Sequence, residues 1–142
     1  MRHYPAKKSI ITQIGGWDEN IYTYLEDLDI CLKLRRNNLQ LIKIGDSVVH
    51  HVGFGSHEDE NLSKFELSRN WHFMWSSLYF KQKYENKNEF ILYFLKNFMK
   101  YFFKSILFAL IFKKKKTIFN YMRLRASINF LIIKKSNFKI KI

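Results

Sequence analysis

Cysteine is almost missing from this chain. Cys31 stands alone among 142 residues, so no internal disulfide can form. A lone thiol suits a reducing compartment or a buried position. The first dozen residues also lack an apolar run of signal-peptide length; Met1–Thr12 carries charges and a proline instead, and the expectation is a cytoplasmic working domain. No internal repeat is present. Acid is the third scarcity, and it is local. Residues 86–142 hold fourteen Lys and Arg against one acid, Glu89, whereas residues 1–85 hold eleven of each sign. The whole net charge of +13 therefore sits in the last 57 residues, with ten of the fourteen Phe. Composition separates a neutral module, residues 1–85, from a basic, aromatic-rich helical tail, residues 86–142. The length is one domain's worth on the usual scale of ~100–200 residues, and 47% hydrophobic residues are ample for a core.

Within the neutral module, a short apolar segment from Ser9 to Ile14 ends at Gly15-Gly16, a pair that marks a tight turn or a close approach. Thr23 and Glu26 have capping-box spacing, with Asp27 and Asp29 in the first turn of a helix predicted from about Glu26 to Asn37. Leu28, Cys31, Leu32 and Arg35 share one face of it. Leu39–Ile44 and Val48–Val52 read as strands, followed by a polar loop from Gly53 to Asn61. Ser63 and Glu66 repeat the capping pattern before a helix that carries Leu67, Trp71, Met74, Trp75 and Leu78 to about Tyr84. Asn86 and Glu89 repeat it again at the start of the tail.

Three carboxylates at a helix start have two readings. They complement the helix dipole, or one of them is a general base. A sugar hydroxyl is a poor nucleophile at neutral pH, so its transfer needs a carboxylate to take the proton. His51 likewise is either structural or a ligand. It ends an apolar strand beside a glycine-rich loop, 24 residues after Asp27, and neutral imidazole binds Mn²⁺-class ions well. His50 is the alternative ligand; strand alternation points it to the other face.

Gly15-Gly16-Trp17-Asp18-Glu19, then Glu26-Asp27-Leu28-Asp29 with Arg35 beyond, then His51 with Gly53, Gly55 and Ser56, resemble in order and spacing the acceptor half of family-2 glycosyltransferases. Rhamnosyltransferase-like members that build bacterial surface polysaccharides are nearest. Arg69–His72 and Lys81–Tyr84 are similar to the helix that follows in these enzymes. The resemblance covers residues 9–85 and implies an α/β fold: the C-terminal part of a GT-A-type domain, followed by basic amphipathic helices. It implies inverting transfer from a nucleotide-sugar donor to a glycan or lipid-linked acceptor. Asp27, with Glu26 beside it, would be the catalytic base and His51 a ligand of a divalent metal (Mg or Mn). Trp17, Asp18 and Arg69 would contact substrate; the alternatives are a buried loop anchor for Trp17 and a solvated helix position for Arg69. The family's donor-binding N-terminal half, with its Asp-x-Asp motif, is absent from this sequence.

The tail has its own logic. A helix over Phe90–Phe112 would be long enough for a bilayer's ~30 Å core, yet Lys96, Asn97, Lys100 and Lys104 interrupt it. Lysines every four residues gather on one side, while Phe94, Leu95, Phe98, Phe102, Ile106 and Leu107 fill much of the rest. That pattern suits a helix in the interface of an anionic membrane, reinforced by Lys113–Lys116. A second helix, about Thr117–Ile133, repeats the mixture. Ordinary core packing is the competing reading, and no nucleic-acid partner is expected because no such motif is present. The expected location is peripheral, on the inner face of the cell membrane. A non-catalytic membrane-surface module, left from a truncated transferase, is the alternative to the enzyme.

Overall fold

The computed structural model describes residues 8–42, 48, 50 and 62–133. They form five helices in the order α1 (Lys8–Gln13), α2 (Glu26–Arg36), α3 (Leu62–Tyr84), α4 (Lys87–Leu110) and α5 (Lys114–Ile132), with no strand among the described residues. The expected α/β, GT-A-type scaffold is therefore overturned. A short apolar run becomes a strand only where a neighbouring strand accepts its hydrogen bonds. Leu39 instead packs against Ile14, Ile30 and Leu34, while Leu41, Ile42 and Val48 are exposed. The remainder of the two expected strands, with the glycine-rich loop after them, lies outside the described residues.

The core belongs to the last three helices. Trp71, Met74, Trp75 and Leu78 of α3 meet Tyr101 of α4 and Met122, Leu124, Ala126 and Phe130 of α5. Trp75 stacks on Tyr79 and meets Phe130 edge-on, each at 5.5 Å between ring centroids. α5 packs closely on both α3 and α4, which touch each other far less. Its buried face permits this because Ala126 and Ser127 are small. The buried polar groups there bond their own helix: Ser127 Oγ donates to the Arg123 carbonyl (3.0 Å) and Asn120 Nδ2 to that of Lys116 (2.7 Å). Arg123 joins all three helices, donating to Asn70 Oδ1 at 3.0 Å with its guanidinium 4.9 Å from the Tyr101 ring. The tail thus supplies two helices of one bundle, and the compositional boundary near residue 85 falls in the turn between α3 and α4.

Capping follows the sequence in one case and departs from it in two. Asn86 Oδ1 accepts the Glu89 N–H at 2.9 Å and starts α4. Thr23 does not cap α2: Tyr24 and Leu25 have φ of 66° and 69°, which delays the helix, and the Thr23 carbonyl accepts from Ser76 Oγ at 2.6 Å. α3 begins at Leu62, so Ser63 is already helical. The inward face of α2 is also not the one its apolar spacing predicts. Asp29, Ile30 and Leu34 are buried, whereas Leu28 is exposed.

Three helices end in one geometry. After α1, α2 and α4 the N–H of Gly16, Leu39 and Lys113 reaches back to the carbonyl of Ile11, Leu34 and Phe108, at 2.8, 3.0 and 2.9 Å. The residue before each is left-handed: Gly15 (φ 80°), Asn38 (φ 56°) and Phe112 (φ 53°). Glycine and asparagine are the residues this Schellman-type end favours; phenylalanine is not.

Candidate functional site

The motif residues of the neutral module are held together by Lys83 of α3. Its Nζ lies 2.6 Å from Asp18 Oδ2 and 2.6 Å from Asp29 Oδ1. Asp29, only 1% exposed, also accepts from the Tyr84 hydroxyl at 2.8 Å, and its Oδ2 faces Lys33 Nζ at 3.3 Å, an ion pair without hydrogen-bond alignment. Lys33 in turn donates to the Gly16 carbonyl at 2.8 Å. Asp18 accepts further bonds from Tyr79 (3.0 Å) and from the backbone and side chain of Asn20 (both 3.0 Å). Burial alone would raise the Asp18 pKa, but Lys83, Asn20 and Tyr79 outweigh it and hold it at about 2. Burial pushes the Tyr84 hydroxyl up, and its bond to Asp29 takes it to about 12. Burial lowers and the two carboxylates raise Lys83, with the carboxylates prevailing. This network is a fastener between the Gly-Gly-Trp-Asp turn, α2 and α3.

Of the residues that the resemblance assigns to a site, Asp18 belongs to this network. Asp27 is exposed, its Oδ1 accepting only its neighbour's N–H, that of Leu28, at 2.9 Å. Glu26 is half-buried and, with Arg69, close enough to bear on the Tyr24 hydroxyl, which Arg69 also hydrogen-bonds. Trp17 is 56% exposed, so it does not anchor its loop. His51 lies outside the described residues, and His50 is exposed. Among the described residues no group of three His, Cys, Asp or Glu could hold a metal, and Asp18 and Asp29 already share Lys83. Lys83, Tyr79 and Asp29 are the residues that sequence reasoning under-weighted; an acid, two tyrosines and a lysine at helix spacing were the available signal.

A second candidate lies on α4, which is apolar on two opposite sides. Phe90, Tyr93, Phe94, Phe98 and Tyr101 pack inward. Leu92, Leu95, Met99, Phe103, Ile106 and Leu110 recur at three- and four-residue spacing on the other side and are exposed, from 45% at Ile106 to 71% at Leu110. This stripe runs ~27 Å along the helix. Lys96, Lys100 and Lys104 border one edge of it, and all are exposed. Phe94 and Phe98, expected on the apolar side of an interfacial helix, pack against the core instead. α5 carries a shorter outward stripe of Ile118, Tyr121, Ile128 and Ile132. Between the helices comes the corner Leu110-Ile111-Phe112, where Phe112 is 93% exposed, and then Lys113–Lys116. No described helix is long and apolar enough to cross a membrane.

Searches with known family models, curated proteins and solved structures return no significant match. With five helices and no strand among the described residues, the family-2 glycosyltransferase resemblance, its inverting sugar transfer and the enzyme assignment are withdrawn. An exposed basic and apolar face on a helical bundle is what remains to be explained.

Proposed function

We propose that this chain is a non-catalytic membrane-surface module that lays the outward side of α4 on anionic lipid. The observation that carries the reading is the unpartnered stripe from Leu92 to Leu110 with Lys96, Lys100 and Lys104 along its edge. Exposed apolar surface of this extent on a soluble domain marks an interaction face. Its charge selects the partner: from residue 86 onward Glu89 is the only acid. A lysine near an anionic leaflet contributes ~1 kcal/mol, and a large apolar side chain moved out of water ~1.5–3 kcal/mol. Both terms point the same way on this face. On this reading the chain is peripheral, on the anionic inner leaflet of a cell membrane, and α4 lies in the interface rather than across it.

Co-sedimentation with vesicles tests this directly. Vesicles containing phosphatidylserine should retain the protein, pure phosphatidylcholine vesicles should not, and raised salt should release it. Leu95→Ser with Phe103→Ser should abolish retention while leaving the helical circular dichroism and Tm unchanged, because neither residue is in the core. Equal retention by neutral vesicles, or stronger binding to nucleic acid than to anionic lipid, would overturn the reading.

A further inference from the structure

The corner between α4 and α5 combines features that the long stripe does not. Two open clefts flank it. One, of about 560 Å³, is lined by Lys113, Lys114, Lys115 and Lys116 with Glu66 and Phe119. The other, of about 420 Å³, is lined by Phe108, Ala109, Phe112, Lys114, Thr117 and Ile118. Lys114 borders both, so a cleft walled largely by lysine side chains and one walled largely by apolar residues meet at a single side chain.

Phe112 is also in the wrong place for stability alone. It is almost wholly exposed, and it occupies the left-handed position that Gly15 and Asn38 fill at the two equivalent helix ends. Glycine there would relieve the backbone and remove an apolar ring from water.

Resting on the membrane reading above, we infer that this corner binds one anionic phospholipid. Its phosphate sits in the lysine-lined cleft and its acyl chain runs past Lys114 along Phe108, Phe112 and Ile118. The corner then holds a single lipid while the α4 stripe lies on the bilayer plane. Among the described residues Glu66 is the one acid lining the lysine cleft; its carboxylate pairs with Lys115 at 2.8 Å and competes with the phosphate.

The experiment titrates the full chain with dihexanoyl-phosphatidic acid below its micellar concentration, followed by backbone amide NMR, in parallel with vesicle co-sedimentation. A saturable shift centred on residues 108–118 is expected, with no such saturation by dihexanoyl-phosphatidylcholine or inorganic phosphate. Phe112→Gly should weaken this binding by about tenfold or more while Tm holds or rises. Glu66→Gln should tighten it by a fewfold. The Leu95→Ser, Phe103→Ser protein should keep the monomeric lipid and lose the vesicles. Saturation by inorganic phosphate at the same concentration would overturn the lipid assignment, leaving a simple anion site. Vesicle binding without any response to the monomeric lipid would overturn the corner and leave the membrane reading standing. Failure to bind vesicles would remove the membrane reading itself.

Discussion

Lys83 ties two segments of the neutral module to α3, because it answers a carboxylate from each. Removing it leaves the buried Asp29 with Lys33 as its remaining cation and the Tyr84 hydroxyl as its donor, and losing one partner of a buried pair costs ~3–5 kcal/mol. Lys83→Met is therefore expected to lower stability by about 3 kcal/mol in urea denaturation, Lys83 being partly open to water. The double variant with Asp29→Asn should lose less than the two single losses combined, since the pair fails together. The same network sets the pH dependence. The carboxyl of Asp18 falls from its ordinary 3.8 to about 2 on folding, so its contribution is complete above pH 4 and disappears as pH falls toward 2. That contribution is about 1–2 kcal/mol after allowing for water at the rim. Tyr84 has the opposite sign: held up at about 12, it contributes fully below pH 10 and loses that contribution between 10 and 12. Thermal melts across pH should show both limbs, and Asp18→Asn should flatten the acid one. Gly15 is a simpler case. A Cβ there meets nothing within 4 Å, so Gly15→Ala should cost only the ~1 kcal/mol of its positive φ.

At the scale of elements, α4 and α5 show what a helix does when its two sides have different partners. α5 is buried through the small residues Ala126 and Ser127, both fully covered, so a larger side chain at Ala126 has nowhere to go. Ala126→Leu should overpack the bundle and cost ~1–3 kcal/mol, measured as a drop in Tm. Helices were the legible part of this sequence. The spacing of Trp71, Met74, Trp75 and Leu78 marks α3, and Asn86 with Glu89 marks the start of α4 within a residue. Over the described residues 39–42 no strand forms, because so short an apolar run does not let periodicity separate a strand from a connector. The three carboxylates are ambiguous for a different reason. Glu26, Asp27 and Asp29 are equivalent as sequence, and only the packing of Ile30 and Leu34 turns Asp29 inward and leaves Asp27 in water. Apolar spacing also named the wrong face of α2, since the inward positions include Asp29 and Lys33, whose charges pair. The outward stripe of α4 was legible in principle, yet its exposure depends on which side α5 covers, and no local pattern settles that.

For the whole molecule, the division of charge matters more than its total. A neutral segment carries α1 to α3, and the excess of positive charge sits on the part that also exposes the apolar stripes. Screening should therefore act on binding strongly. The Debye length shrinks from ~8 Å at 0.15 M to ~3 Å at 1 M, so retention on anionic vesicles should fall steeply over that range, read as the bound fraction against salt. The two-sided α4 has one more consequence, colloidal in kind. In dilute buffer, repulsion between like-charged copies keeps the stripes of neighbouring molecules from meeting, and net charge acts as the dispersant. Salt that frees the protein from vesicles also weakens that repulsion. Light scattering without lipid should then rise with salt, and Leu95→Ser with Phe103→Ser should keep the solution clear.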